Sequence, residues 1–165
     1  MANGEAFGYT GESDGPPSRL NTRKDPVTAT TEERYDEGLK LYESGAPLEE
    51  VLKFFQDLRK DAPNDVRIAV SLSWLNILLG NKEPAIRYAK EAKNVAQGRY
   101  NHALALLTFG EKGVREKLIE AIELGGHDGM HDAVDNLQDA IQKKGGSFPA
   151  AEKMIRWIQE MDHHH

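Results

Sequence analysis

The chain of 165 residues carries 21 lysines and arginines against 27 aspartates and glutamates, for a formal charge of −6, and it contains no cysteine. This length suffices for one domain that buries a core without disulfides. The acidic balance excludes a general affinity for nucleic acid, which depends on clustered cations that neutralise phosphates. Without cysteine, disulfides, thiolate metal sites and cysteine nucleophiles are excluded as well, and a reducing, cytoplasmic location is expected.

The two ends of the chain differ in composition from the rest. Residues 1–29 are rich in Gly, Pro, Ser and Thr and define no apolar face, which predicts a disordered N-terminal tail. Residues 30–162 are expected to form the folded domain, and no segment in them approaches the roughly 20 apolar residues that cross a bilayer. Residues 163–165 are histidines, typical of a purification-tag remnant.

Signals for helix ends begin directly after the tail. Thr30 lies three residues before Glu33, which predicts a capping box, and Gly45 is expected to end the first helix. Asn64 is predicted to cap the third helix, which ends at Gly80.

Prolines mark the starts of the helices between these. Pro47 and Pro84 fit the first turns of the second and fourth helices, where a backbone N–H needs no partner within the helix. The fourth helix is predicted to end near Gly98. Further helices are expected at about 100–110, 113–124, 130–143 and 148–161. Since no segment alternates as a strand does, the sequence predicts an all-α fold of eight helices in four hairpins.

An internal repeat of about 34 residues supports the hairpin assignment. Its copies begin at Glu32, Val66, Tyr100 and His131. The fourth place of the copies holds Tyr35, Ala69, Ala103 and Val134. The turn glycine recurs as Gly45, Gly80, Gly113 and Gly145. Helix pairs of this kind bury their apolar faces by stacking on neighbouring copies.

This pattern resembles the tetratricopeptide repeat (TPR) family, which places an aromatic residue, a turn glycine, a small residue and a terminal proline at such positions. The resemblance covers residues 32–161 and implies an α-α superhelix, or solenoid. Its repeats would be about 32–65, 66–99, 100–130 and 131–162. The third copy is three residues short, and Leu39 stands where the family has a glycine.

The stretch GGHDGMHD, residues 125–132, falls at the junction of the third and fourth copies. Its first two glycines are expected to end one helix, and Asp128 is expected to cap the next. The alternative is a metal site, whose candidate ligands are His127, Asp128, His131 and Asp132. We favour the joint, because Gly129 separates the histidines and His127 is expected to lie outside the helix.

The resemblance further implies a concave groove lined by the first helix of each pair. The residues expected to bind a partner there are Lys40, Arg67, Val70, Trp74, Ile77, Asn101, Leu104, Thr108, Asp135 and Asp139. Such a groove is apolar in its middle and acidic at its ends, which favours a partner segment with an apolar anchor flanked by Lys or Arg. The third helix is apolar nearly all round, however, so Trp74 is equally compatible with a place in the core.

Two further hypotheses concern the ends of the chain. The tail segment 18–24 combines Leu20 with basic residues, and it is a candidate to occupy the groove in cis. The last helix carries more apolar residues than one neighbouring helix is expected to cover, which predicts a weak homodimer through this helix.

Taken together, these features predict a protein–protein interaction adaptor or scaffold that is not an enzyme and uses no cofactor. The sequence contains no phosphate-binding loop, zinc-protease motif or nucleophile elbow. Two alternatives stay open. One is a helical domain that binds a metal or small molecule through the cluster at 127–132, and the other is a structural oligomerisation module.

Overall fold

The structure, a computed structural model, describes residues 29–163. Over this range it contains no strand, so the all-α prediction is confirmed, but it has seven helices instead of eight. The helices are α1 (Thr31–Glu43), α2 (Leu48–Asp61), α3 (Val66–Leu79), α4 (Lys82–Glu91), α5 (Ala96–Thr108), α6 (Val114–Lys143) and α7 (Pro149–His163). Apart from Ala29, the predicted tail with its segment 18–24 lies outside the described residues, as do the last two histidines.

The predicted signals at the ends of α1 are present. Thr30 Oγ1 accepts a hydrogen bond of 3.0 Å from the backbone N–H of Glu33, and Glu33 Oε1 accepts one of 3.0 Å from the N–H of Thr30. Gly45 follows the helix with φ of +86°, a left-handed conformation that glycine adopts without strain.

The N-cap of α3 differs from the prediction by one residue. Asp65, not Asn64, is the cap, and its Oδ1 accepts a hydrogen bond of 3.0 Å from the N–H of Arg67. Both side chains are good caps, so composition alone does not choose between them. Asp65 also pairs with the Arg67 guanidinium, at 2.9 Å, which adds a contact that the neighbouring asparagine lacks.

Gly98 does not end the fourth helix as predicted. α4 ends at Glu91, and Gly98 lies in the first turn of α5. A Cβ atom at Gly98 would lie 1.9 Å from the carbonyl oxygen of Ala92, so only glycine allows α5 to begin so close to the end of α4. This glycine therefore permits a close contact between helices.

The predicted helices at 113–124 and 130–143 are joined in α6, which accounts for the lower helix count. The backbone leaves the helical conformation only at Gly126, where φ is 68° and ψ is −163°. That region is accessible almost solely to glycine. The chain changes direction at this one residue and the helix resumes at once, so no loop separates the two segments.

Helix α3 lies at the centre of the packing. Each helix contacts the next along the chain, α3 also contacts α5, and α5 also contacts α7. Every residue from Ile68 to Leu78 is buried. Helix α5, which packs on α3, is also buried over most of its length, whereas α2 is amphipathic and turns Val51, Phe55 and Leu58 inward.

A close approach of α1 to α2 depends on Gly38. A Cβ atom there would lie 2.5 Å from Cζ of Phe55, whose side chain is fully buried. Gly38 directly precedes Leu39, the residue that stands at the family's glycine position. The contact that a glycine provides between paired helices is thus present one residue earlier than the family pattern places it.

Replacing Gly98 by alanine tests the close contact between α4 and α5. We expect Gly98→Ala to destabilise the protein by about 1–3 kcal/mol, because the new methyl group would overlap the backbone of Ala92. Gly129→Ala is the matched control, since it lies in α6 with nothing within 4 Å of its added Cβ. That change should stabilise the protein by about 0.5–1 kcal/mol through helix propensity. Urea denaturation measures both, and a Gly98→Ala protein as stable as wild type would contradict the contact.

Candidate functional site

The expected concave groove is not accessible, because its apolar residues lie in the core. Val70, Trp74, Ile77 and Leu104 are each at most 1% exposed, and Asn101 is fully buried. The expectation that these residues touch a partner is therefore wrong for this conformation, and of the two interpretations of Trp74 the core position is the observed one. The physical reason is the composition of α3, which has no polar face to turn toward solvent.

A hydrogen-bonded chain closes this interior between α1 and α6. Trp74 Nε1 donates to the hydroxyl of Tyr42 at 3.0 Å, and that hydroxyl donates to Asp139 Oδ2 at 2.5 Å. Lys143 lies 3.6 Å from Asp139, and its Nζ is 4.4 Å from the centroid of the Tyr42 ring. Burial, followed by the negative charge of Asp139, raises the pKa of Tyr42 far above its usual value. The hydroxyl thus stays protonated and bridges the two helices.

Asn101 has a structural role within the same interior. Its Nδ2 donates to the backbone carbonyl of Val70 at 3.2 Å, and its Oδ1 accepts a hydrogen bond of 2.8 Å from Gln97 Nε2. Asn136 Nδ2 in turn lies 3.5 Å from Gln97 Oε1. This network links α3, α5 and α6, and it uses the Asn101 amide, which was predicted to bind a partner.

The charged residues that were expected to bind a partner in the groove differ in how accessible they are. Lys40 and Asp135 are exposed, so they are available to a partner. Arg67 instead pairs with Asp65 and Glu32, each at 2.9 Å, which leaves its guanidinium committed within the chain.

Asp36, which lies on α1 one turn before Lys40, is also exposed. Partial burial and then the neighbouring charge of Glu32 raise its pKa above the usual value of 3.8. An acidic edge therefore persists on α1, although the apolar anchor site beside it does not.

Replacing Tyr42 by phenylalanine tests the bridge between α1 and α6. We expect Tyr42→Phe to cost about 1–3 kcal/mol of unfolding free energy, because it leaves the Trp74 N–H and the Asp139 carboxylate without a shared partner. Tyr88→Phe is the matched control, since the Tyr88 hydroxyl forms no hydrogen bond to a described residue. It should change stability by less than about 0.5 kcal/mol. Equal stability of the two variants in urea would argue against the bridge.

His102 is a buried side chain of α5, 9% exposed, rather than a surface residue or an accessible base. Burial, followed by the nearby cations Lys117 and Lys90, lowers its pKa below the usual value of 6.5. The lowered pKa favours the neutral imidazole, which suits a side chain packed among buried residues of α5.

This burial predicts a pH dependence of stability. As the pH falls below about 6.5, His102 is protonated in the unfolded chain before it is protonated in the folded chain, because its pKa is lower in the folded chain. The unfolded chain then binds more protons, so the free energy of unfolding decreases as the pH falls toward the folded pKa. We expect urea midpoints of wild type to drop between about pH 7 and about pH 5.5, and those of His102→Gln to drop less. Parallel profiles for the two proteins would contradict the account.

A pocket of about 460 Å³ opens between the end of α5 and the start of α7. Its apolar wall is formed by Leu107, Phe148, Pro149 and Ala150. Thr108, one of the predicted partner-binding residues, lines it as well. The Thr108 Oγ1 is buried and has no hydrogen-bond partner among the described residues.

Two exposed lysines flank this pocket, which we call the α5–α7 pocket. Lys144 Nζ lies 3.3 Å from the backbone carbonyl of Leu78 and 5.4 Å from the ring of Phe148, and Lys153 Nζ lies 5.3 Å from the ring of Trp157. Among the described residues, no carboxylate lies within salt-bridge distance of either lysine. Sequence reasoning missed the pair, because its members lie on different elements around a wall that only folding assembles.

The apolar residues of α7 are covered within the chain. Ala151, Met154 and Ile158 are buried, as is Phe148 directly before the helix, and Ala150, Ile155, Trp157 and Met161 pack against the core while half-buried. The excess of apolar surface that predicted a homodimer is therefore largely taken up by α5 and α6. In the range that the structure covers, no helix is both long and apolar enough to cross a membrane.

The cluster at 127–132 directly follows the break at Gly126, so a helix segment does end at the predicted glycines, but the next segment begins without a loop. His127 and Asp128 are helical, so Asp128 is not a cap preceding a new helix as predicted. His127 and His131 contact each other, with 3.1 Å between their Nε2 atoms, while Asp128 is exposed and Asp132 is half-buried. The predicted cap at Asp128 is wrong because the break is confined to Gly126, and the backbone from His127 through Gly129 is already helical.

Comparisons with protein-family models, curated proteins and solved structures find no match to this chain. The tetratricopeptide resemblance therefore rests on the residues quoted for it and stays a prediction.

Proposed function

We propose that this protein is a non-enzymatic adaptor that binds an acidic, apolar-anchored segment of a partner protein in the α5–α7 pocket. The observation that carries the proposal is two exposed lysines beside an apolar wall, neither within salt-bridge distance of a carboxylate among the described residues, on a chain whose formal charge is −6. In this proposal the helix hairpins are repeats of the tetratricopeptide kind, and they act as the rigid frame that holds the pocket. The absence of cysteine fits a cytoplasmic setting.

The apolar wall supplies the affinity in this proposal. A partner side chain of the size of leucine or phenylalanine gains about 1.5–3 kcal/mol when it is fully buried. Leu107, Pro149 and Ala150 offer such a surface beside the buried ring of Phe148, and the volume of about 460 Å³ is sufficient for one large side chain with its flanking backbone.

The two lysines supply direction and selectivity. Exposed ion pairs contribute only about 0.2–1 kcal/mol each, so Lys144 and Lys153 are expected to select among partners and to raise the association rate. Aspartate or glutamate beside the anchor is favoured, and a basic segment is disfavoured. The groove was predicted to prefer a basic segment, whereas the lysines of this pocket favour an acidic one. The groove is not the proposed site because its apolar anchor, Trp74, is buried.

Selection from a random peptide library displayed on phage tests this proposal without knowledge of the partner. We expect enrichment of peptides with an aromatic residue or leucine next to aspartate or glutamate. The double charge reversal Lys144→Glu with Lys153→Glu should weaken the selected peptides by at least about tenfold, since two favourable rim contacts become repulsive. Affinities are measured by fluorescence anisotropy on labelled peptides.

The matched control is Lys93→Glu with Lys112→Glu, which reverses two exposed lysines that do not line the pocket and should leave the affinity within about twofold. Enriched basic peptides that lose binding to Asp36→Asn with Asp135→Asn would overturn the proposal in favour of the acidic edges. A library that yields no enriched peptide would count against an adaptor role.

A further inference from the structure

The histidine pair of α6 has a geometry that the sequence did not reveal. Gly126 leaves the helical conformation and the helix resumes at His127, so His127 and His131 lie four apart on one helical segment. Residues four apart in a helix share a face and are close enough for their side chains to meet. Both imidazoles are exposed, and a metal ion has free access to them.

The Nε2 atoms of the two imidazoles lie close to each other. Their Nε2 atoms are 3.1 Å apart, and the ring planes meet at 85° with centroids 4.6 Å apart. Two nitrogens that bind one tetrahedral ion at about 2.0–2.1 Å lie about 3.3 Å from each other. The separation of the two nitrogens is therefore close to the separation that a single tetrahedral ion requires.

A carboxylate from the last helix orients one of these rings. Asp162 Oδ1 lies 3.2 Å from His127 Nδ1. When Nδ1–H donates to this carboxylate, the lone pair of Nε2 stays free and points toward His131. A carboxylate behind a metal-binding histidine is a recurrent arrangement, because it fixes the tautomer and makes the ring a stronger ligand.

From this geometry we propose that His127 and His131 form a two-histidine site for a divalent late transition-metal ion, with Asp162 as the positioning residue. Among the described residues no group of three or more metal-binding side chains converges, so water completes the coordination. A pocket of about 370 Å³ lined by His131, Val134 and Asp162 adjoins the pair and leaves room for those waters. Imidazole suits Zn²⁺, Ni²⁺ and Cu²⁺, and intrinsic affinity is highest for Cu²⁺.

Zinc titration of the full chain tests this site. In every protein used, His163, His164 and His165 are replaced by asparagine, so the terminal histidines do not contribute. We expect calorimetry to give one Zn²⁺ per chain, and NMR to report shifts of the Nε2 nitrogens of both His127 and His131. His131→Asn should lower the association constant by at least about tenfold, since half of the protein ligands are lost. Asp162→Asn should lower it by about tenfold.

Asp128→Asn is the control for Asp162→Asn, because it removes the same charge beside His127 at a residue whose carboxylate contacts neither imidazole. It should leave the zinc affinity within about threefold, whereas a purely electrostatic role of Asp162 would make the two variants equal. Equal zinc uptake by His131→Asn and its parent would overturn the site. Binding of one ion by two chains would overturn the single-chain geometry.

Discussion

The burial of α3 on all sides is the constraint on which the rest of the structure depends. Its segment from Ile68 to Leu78 turns no face to solvent, so other helices must cover every side of it. The polar groups of this helix are accommodated at the same time: Ser73 Oγ donates to the carbonyl of Ala85 at 2.9 Å, and Asn76 Nδ2 donates to that of Leu72 at 2.8 Å. A buried polar group without such a partner would cost about 1–3 kcal/mol.

The same burial explains why the protein offers a partner a different surface from the one that a repeat pattern suggests. An open stack of hairpins would leave the first helices exposed along one side, but Tyr42 and Asp139 join α1 to α6 over Trp74. The wall of the α5–α7 pocket, near the end of the chain, is then one accessible apolar surface, apart from Ile119 and Leu124 on α6. The metal site that we propose lies elsewhere, on the exposed face of α6, and uses none of the residues of that pocket.

Features that depend on a few neighbouring residues could be predicted from the sequence. The capping box at Thr30 and the glycines that follow α1 and α3 are local, and each appears at its predicted place. The prediction for Gly98 was wrong because the sequence does not distinguish a glycine that ends a helix from one that allows another helix to pack closely. The joint at Gly126 was misjudged for a related reason: one residue with an unusual backbone conformation replaced the loop that several glycines suggested.

The candidate site could be predicted only in part. Thr108 lines the pocket, yet Lys144, Lys153 and the wall around Phe148 come together through the packing of α5 against α7, which no repeat register encodes. The burial of Trp74 did have a signal, namely the uniform apolar composition of α3. The pairing of His127 with His131 requires that both residues lie in one helix. The glycines around them instead favoured a joint with His127 outside the helix, so the pair was not predicted.

The most direct test of the central claim is acrylamide quenching of Trp74 fluorescence in a Trp157→Phe protein, which retains Trp74 as its one tryptophan. The account predicts emission characteristic of an apolar environment and little quenching in the native state, with strong quenching only after unfolding in urea. Efficient quenching of Trp74 in the folded protein would show an exposed indole, and it would contradict the enclosed position of α3.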